Sequence, residues 1–260
     1  MKLTHVFTAS VLVAAMGVSV VNAETSNSTM TPEHKKEIEQ VIHDYLVTNP
    51  DVLIEASQAL QQKQQQAMQK EAKSAIAQHA VELSDGTLTV AGNPKGDVTL
   101  VEFFDYQCIH CKKMKPVISE LINKNPNLRV VYKEFPIFGK ESELASKMVI
   151  AAAIQSKYLL VQGELLKADG HLDEKKVMAI AEHAGLNMAK LKADMNGKSV
   201  ADMLSANRKL AEKIHLMGTP AFIVLSTPNG QFKPGSETAF IPGAASAEAL
   251  QKLINKAAGK

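Results

Sequence analysis

Two cysteines separated by two residues constrain this chain more than any other feature. Cys108 and Cys111 are the only cysteines in 260 residues, so a framework of several disulfides is excluded. A disulfide between them closes too short a loop to restrict the unfolded chain much, and such a strained bridge is readily reduced. The pair is therefore predicted to serve chemistry rather than stability.

The cysteine pair directly follows a run that is typical of a buried strand. Val98–Phe104 reads VTLVEFF, and the residues of Ile109–Lys124 favour a helix. Residues 128–135 form a second run of the buried-strand type, which predicts a β-α-β unit with a right-handed crossover. Cys108 and Cys111 are then expected on the first turn of the connecting helix.

The rest of the chain alternates helical and strand-like patterns. A short strand is predicted at residues 87–90, several helices at 141–216, strands at 221–225 and 239–241, and a closing helix at 246–258. The order strand-helix-strand, helical insert, strand-strand-helix predicts an α/β domain over residues 81–260, with the insert at about 141–216.

The first residues are typical of a secretory signal peptide. An apolar stretch at residues 6–21 leads into Val21-Asn22-Ala23, a small-x-small cleavage pattern. The alternative is a membrane anchor, but polar and small residues interrupt a stretch that needs about 20 strongly apolar residues to span a bilayer. Cleavage after Ala23 is therefore predicted, so that residues 1–23 are removed and the mature chain is exported to a compartment where disulfides persist.

Residues 24–80 are predicted to form a helical arm. Thr31-Pro32 supplies a cap and a first-turn proline, and Asn49-Pro50 separates this helix from a longer glutamine-rich one. The arm has too few large apolar residues for its own core, so its stripes favour association between copies over packing on the parent domain. A solvated spacer helix is the alternative. The short heptad pattern does not predict the number of copies.

A cysteine at a helix start is suited to nucleophilic chemistry. Free backbone N–H groups and the helix dipole stabilise a thiolate there, which can lower the pKa of the thiol to about 3.5–7.5. We predict that Cys108 is an exposed nucleophile and that Cys111 is the resolving thiol. His110 is expected to lower the pKa of Cys108 further with a hydrogen bond or a positive charge. The alternative is that His110 is an exposed helix residue without an electrostatic role.

Metal binding is the main alternative use of the pair. A structural zinc site normally has four protein ligands, and the sequence has neither a second CxxC nor an H-x3–5-H motif. A zinc or copper site shared between copies stays open, and an adhesion or chaperone role is a third hypothesis. A net charge of +2 without a block of like charges gives no indication of nucleic acid as a partner. No cofactor and no resident metal are expected.

Two segments together resemble the DsbA-like branch of the thioredoxin superfamily: FFDYQCIHCK at residues 103–112 and GTPAF at residues 218–222. The resemblance covers about residues 87–260. It implies a thioredoxin-like fold and a periplasmic thiol-disulfide oxidoreductase that introduces and isomerises disulfides in exported proteins. It also implies that Pro220 is a cis-proline facing the cysteines, which leaves the backbone of Thr219 free to pair with an extended substrate.

Three features qualify the resemblance. Ile109 stands where the oxidases of this family commonly have proline, and Thr219 resembles the isomerase and reductase branches more than the main oxidase. The arm is similar to that of oligomeric DsbA-like proteins, which implies a homodimer or higher homo-oligomer with several cysteine pairs around one substrate. The resemblance also implies a membrane redox partner of DsbB or DsbD type.

Glu102, within the first buried strand, is a weaker candidate for the site. A buried acid there would relay protons to Cys111. A solvent-facing strand residue is the alternative.

Overall fold

The computed structural model describes residues 30–260. The predicted signal peptide, residues 1–23, lies outside the described residues. The chain divides into two compact units, one ending at Ala59 and one running from Leu60 to Lys260. Among residues 30–260, none of the helices combines the length and apolar character needed to span a bilayer.

The first unit contains helix α1, Pro32–Thr48, and the start of helix α2, Asp51–Gln78. Helix α1 begins where predicted, because the hydroxyl of Thr31 accepts a hydrogen bond from the backbone N–H of His34 at 3.3 Å. None of the residues of α1 is buried. Its exposed apolar stripe consists of Ile38, Val41, Ile42 and Tyr45.

A five-stranded sheet is the centre of the second unit. Its strands are β1, Val90–Gly92; β2, Val98–Phe104; β3, Leu128–Glu134; β4, Ala221–Ser226; and β5, Ala239–Pro242. The order across the sheet is β1-β3-β2-β4-β5, with β2 parallel to β3 and all other neighbours antiparallel. The first strand lies later than the predicted residues 87–90, because Thr89 donates a backbone hydrogen bond to Gly86 and closes a turn there.

Helices cover both faces of the sheet. Helix α4, Ile109–Lys124, joins the parallel strands as predicted, and the helical insert lies between β3 and β4. The remaining helices are α3, Ala80–Ser84; α5, Lys140–Ile154; α6, Tyr158–Lys167; α7, Glu174–His183; α8, Met188–Met195; α9, Lys198–Lys213; and α10, Ala247–Ala257.

Alternate residues of β2 point to opposite faces and build two cores. Leu100 and Phe104 belong to the larger core, which the sheet shares with α4, α10 and most of the insert. Val101 and Phe103 belong to the smaller core, which also contains residues of α2, α3 and α9. The predicted buried strand at Val98–Phe104 is therefore confirmed, since all of its residues are buried.

The second unit begins at Leu60, not at residue 81, where the sequence placed the domain boundary. The end of the predicted arm packs on its own domain, because Ile76 and Ala80 are buried in the smaller core. Two cations of β3 hold the end of α3: Arg129 donates to the carbonyl of Ser84 at 2.6 Å and Lys133 to that of Asp85 at 2.6 Å. They satisfy carbonyl groups that a helix end leaves free.

Candidate active site

Cys108 is the N-cap residue of α4, directly after the loop that leaves β2. Its sulfur accepts a hydrogen bond from the backbone N–H of Cys111 at 3.4 Å. A sulfur at this position meets the unpaired N–H groups and the positive end of the helix dipole, both of which favour a thiolate. The structure has both cysteines at the start of α4, as the sequence predicted.

Asp105 fixes the loop between β2 and α4. Its fully buried carboxylate accepts hydrogen bonds from the backbone N–H groups of Gln107 at 2.7 Å, Ile137 at 2.7 Å and Phe138 at 3.1 Å. The hydroxyl of Ser142 donates a fourth at 2.7 Å. The loop before Cys108 is therefore tied to the segment that follows β3. The sequence analysis missed this role, although Asp105 lies within the motif.

The two cysteines have opposite acidities. The pKa of Cys108 falls to about 5, chiefly because the thiol of Cys111 donates a hydrogen bond to its thiolate, and the Thr219 side chain and backbone N–H groups of Cys111 and His110 add to this. The pKa of Cys111 is raised, because its thiol is held by that hydrogen bond and because it is buried. One sulfur is thus set up to be charged at neutral pH and the other to keep its proton.

Thr219 and Pro220 lie against the cysteine at the start of α4. The peptide bond between them is cis, which confirms the expectation from the resemblance. The thiol of Cys108 donates to the backbone carbonyl of Thr219 at 3.4 Å. Within residues 30–260 the backbone N–H of Thr219 makes no hydrogen bond, and its buried hydroxyl is also without a partner. The turn therefore offers a free donor beside the reactive sulfur.

The predicted exposure of Cys108 is wrong. Cys108 is only 4% exposed and its sulfur contacts the backbone carbonyl of Thr219 at 3.4 Å, and Cys111 is 1% exposed. Two apolar side chains close to the motifs in sequence are exposed to solvent instead: Ile109 is 63% exposed and Met217 is 95% exposed. Neither was predicted as a substrate contact, although Ile109 lies within the first motif and Met217 directly precedes the second.

His110 is an exposed residue of the first turn of α4. Its backbone N–H contributes to the low pKa of Cys108. In the part of the chain that the structure describes, its imidazole makes no hydrogen bond to either cysteine. The geometry thus favours the alternative interpretation for the side chain, because at the N-terminus of a helix the backbone and not the side chain points its donor along the axis.

Glu102 is buried and not solvent-facing, with 2% of its surface exposed. Burial is the main reason that its pKa rises to about 8, and the negative charges of Cys108 and Glu134 act in the same direction, whereas the Lys115 ammonium of α4 opposes them. The charge of Glu102 in turn raises the pKa of Cys111. Glu102 therefore interacts electrostatically with the pair, but within residues 30–260 it makes no direct hydrogen bond to either cysteine.

The described residues contain few side chains placed to form a metal centre. Over residues 30–260, three or more His, Cys, Asp or Glu side chains do not come together in a group that could hold a metal ion. The cysteine pair supplies two sulfurs, whereas a structural zinc site needs four ligands. Within one chain, the described residues therefore fit thiol chemistry better than a zinc site.

Comparison with known proteins agrees with this geometry. The family described as "DSBA-like thioredoxin domain" matches residues 99–255, and the one described as "Copper resistance protein ScsC N-terminal domain" matches residues 35–67. The structure of BcfH from Salmonella enterica Typhimurium is 34% identical, with 86% of this chain and 96% of that chain covered and a TM-score of 0.73. ScsC of Proteus mirabilis in a transitional conformation is 25% identical over 90% of this chain and 99% of that chain, with a TM-score of 0.62.

The curated relatives are matched over only part of their length. A DsbA thiol:disulfide interchange protein of Bordetella parapertussis is 27% identical over 50% of this chain and 64% of its own length. An NhaA 1 Na⁺/H⁺ antiporter of Salinispora arenicola is 26% identical over 56% of this chain and 22% of its own length. The chain thus covers less than two thirds of these relatives. Because the family match spans more than half of the sequence, and includes the cysteine pair and the cis-proline turn, this chain belongs to the family of DSBA-like thioredoxin domains.

Proposed function

We propose that this chain is a periplasmic protein thiol-disulfide oxidoreductase that oxidises and isomerises disulfides of exported proteins through Cys108 and Cys111. One observation carries the proposal. The sulfur of Cys108 caps α4, accepts the N–H of Cys111 at 3.4 Å and has a pKa of about 5. At neutral pH it is therefore a thiolate, which is both the attacking and the leaving form in thiol-disulfide exchange.

Oxidation of a substrate proceeds in two exchanges. A substrate thiolate attacks the sulfur of Cys108 in the oxidised pair, the S–S bond breaks, and Cys111 takes the electron pair and a proton. A second substrate thiolate then attacks the substrate sulfur of the mixed disulfide and releases Cys108 as a thiolate. The substrate loses two electrons and two protons; the enzyme gains both electrons, one proton stays on Cys111, and the other goes to solvent.

Isomerisation uses the reduced pair. The thiolate of Cys108 attacks a wrongly paired disulfide, and a different substrate thiolate later displaces it, so that no net electrons are transferred. The free N–H of Thr219 supports a role in aligning an extended substrate beside the sulfur. The exposed Ile109 and Met217 next to it would contact the apolar side chains of an unfolded chain. A membrane partner of DsbB or DsbD type would renew the oxidised or the reduced state.

Replacement of Cys111 by Ala tests the proposed reaction. The variant should accumulate mixed disulfides with exported proteins through Cys108, because the enzyme no longer has a second thiol that can attack the sulfur of Cys108 and release the substrate. The matched Cys108→Ala variant should trap almost nothing. Equal trapping by both variants contradicts the roles of the two sulfurs. Unchanged rescue of substrates by a Cys108→Ser, Cys111→Ser double variant would instead support a chaperone role.

We also propose that the first unit joins copies of the chain and thereby supports isomerisation. The support is the exposed apolar stripe of α1 together with the match of residues 35–67 to an N-terminal domain family. Refolding of a scrambled multi-disulfide protein should be slower with a form lacking residues 24–59 than with the full chain. A deletion through residue 80 is a poorer test, because it removes Ile76 and Ala80 from the smaller core. Equal refolding rates with the full chain and the shortened form would contradict the proposed link between association and isomerisation.

Copper binding is a second candidate function. It is favoured by the same match, since the matching domain belongs to a copper resistance protein. Two neighbouring cysteine sulfurs are soft ligands that suit Cu(I). Titration of the reduced full-length protein with Cu(I) should show binding that the Cys108→Ser, Cys111→Ser variant lacks. Equal binding by both proteins rules out the pair as the copper site.

A further inference from the structure

Glu134, the last residue of β3, is a fully buried acid that none of the steps above uses. Its Oε1 accepts hydrogen bonds from the hydroxyls of Tyr106 at 2.8 Å and Tyr158 at 2.7 Å. Its Oε2 accepts one from the hydroxyl of Ser146 at 2.8 Å. A buried carboxyl group with three donors is arranged to carry a negative charge, because an ionised carboxylate accepts hydrogen bonds and donates none.

One of these donors belongs to the active-site loop. Tyr106 stands two residues before Cys108 and is fully buried, and its ring packs edge-on against Phe104 with the centroids 5.1 Å apart. The bond to Glu134 therefore ties the loop that ends at Cys108 to the end of β3. It complements the bonds of Asp105, which tie the same loop to the segment after β3.

The second link between Glu134 and the site is electrostatic. In the parallel register Glu102 pairs with Tyr132, two residues before Glu134, so both acids point to the same face of the sheet. Two buried carboxyl groups this close oppose each other's ionisation. Glu134 has three hydrogen-bond donors, whereas Glu102 makes no side-chain hydrogen bond among residues 30–260. The charge is therefore stabilised on Glu134, and Glu102 keeps its proton.

Other titratable groups lie near these two acids and come from several elements. Glu134 is near Asp105 and Tyr106 of the loop and Tyr158 of α6, and Glu102 is near Lys115 of α4, Tyr132 of β3 and Cys108. Burial raises the pKa of Glu134 to about 7, against the lowering effect of its three hydrogen bonds, and raises that of Glu102 to about 8. The three hydrogen bonds lower the pKa of Glu134 alone, so these contacts favour ionisation of Glu134 before Glu102.

We propose that Glu134 is a positioning residue for the cysteine pair: it anchors Tyr106 in the loop before Cys108, and its charge keeps Glu102 protonated as the proton donor to Cys111. The inference rests on the proposed function and extends it. When the sulfur of Cys111 leaves as a thiolate, a proton passes from the Glu102 carboxyl to that sulfur through one intervening water, because the two groups share no direct hydrogen bond among residues 30–260. Glu102 is left as a carboxylate and regains a proton from water.

The test is the titration of Glu102 in the reduced full-length protein, followed by its ¹³C carboxyl resonance. A Glu102→Gln variant identifies the resonance by its absence. In Glu134→Gln the amide oxygen still accepts from the tyrosines but the charge is gone, so the titration midpoint of Glu102 should fall by about one pH unit. An unchanged midpoint in the folded variant overturns the proposal.

A second variant covers the case in which Glu134→Gln does not fold. Tyr158→Phe removes one donor that stabilises the charge of Glu134, so the midpoint of Glu102 should move in the same direction by a smaller amount. Thr227→Val is the control, because it removes a buried hydroxyl that is bonded to Thr99 and Gly96 and not to either acid, and it should leave the midpoint nearly in place. Equal shifts in both variants overturn the proposal.

A third measurement separates this inference from the proposed function. The pH dependence of substrate oxidation should change on Glu134→Gln in the wild-type background but not in a Glu102→Gln background, because Glu134 acts through Glu102. Suppose that Cys111→Ala traps substrates as expected but Glu134→Gln changes the pH dependence equally in the wild-type and Glu102→Gln backgrounds. The inference about Glu134 is then wrong, and the proposed function stands. If Cys111→Ala traps nothing, the proposed function fails and the inference fails with it.

Discussion

The sulfur of Cys108 lies 3.4 Å from the backbone carbonyl oxygen of Thr219, a residue 111 positions further along the chain. This contact joins the start of α4 to the cis Thr219-Pro220 turn. The hydroxyl of Thr219 lacks a partner among residues 30–260 while the Cys108 thiol donates to the Thr219 carbonyl. It is free to donate to the sulfur once Cys108 is a thiolate, which lowers the pKa of Cys108. The acidity of the sulfur therefore depends on two segments that are distant in sequence.

Replacement of Thr219 by Val should raise the pKa of Cys108. The side chain keeps its shape but loses the hydroxyl that lowers the pKa of Cys108. A hydrogen bond to a charged group is worth about 1.5–3 kcal/mol, or about one to two pH units. The rate of alkylation by iodoacetamide against pH measures the change. Thr219→Ser, which keeps the hydroxyl, is the control and should stay near the wild-type midpoint.

Replacement of His110 by Ala should leave the pKa of Cys108 within about 0.3 pH unit of its original value, because the contribution of this residue comes from the backbone N–H. The same alkylation profile measures it. A rise of a full unit in the pKa of Cys108 would show that the imidazole stabilises the thiolate, as the sequence predicted. His183→Ala, which changes an exposed histidine at the end of α7, is the control.

The stability of the reduced protein should fall in acid relative to that of the oxidised protein. The pKa of Cys108 is lowered from 9.0 to about 5 in the folded chain, so the thiolate stabilises the fold above pH 5 and this effect is lost as the pH falls through that value. Between pH 7 and pH 5 the difference in unfolding free energy should shrink by about 2 kcal/mol. Denaturant unfolding of both forms measures it, and a constant difference contradicts the low pKa.

Replacement of Asp105 by Ala should destabilise the protein by about 3 kcal/mol, because two backbone N–H groups after β3 lose their buried acceptor. Ser142→Ala removes a single one of the four bonds and should cost about 1 kcal/mol. Urea unfolding measures both. Similar losses in the two variants would mean that the carboxylate is not the anchor of the loop.

Charges on the apolar stripe of α1 should separate copies of the chain. Ile42→Glu places a carboxylate on the exposed stripe, so sedimentation velocity should show a smaller species than the wild type at equal concentration. Gln64→Glu, on an exposed and polar part of α2, should sediment like the wild type. A wild-type protein that is itself monomeric over the micromolar range contradicts the proposed association.

Local sequence determined much of the fold and the chemical groups of the site. The uninterrupted apolar run of Val98–Phe104 predicted a buried strand, since both faces of a central strand are covered. The start of α4 at Ile109 followed from the change of pattern after that strand, and this placed Cys108 at a helix N-terminus. These features depend on neighbours within a few residues, so the order of residues alone is enough to predict them.

Only the tertiary structure decided how these groups are surrounded. The turn at Thr219 covers Cys108, the packing of α4 and the insert buries Glu102 and Glu134, and the docking of α3 on β3 draws the end of the predicted arm into the domain. Burial and acidity depend on atoms from segments that the chain order does not bring together. Local periodicity therefore predicted which side chains the site contains, and long-range packing set their exposure and charge.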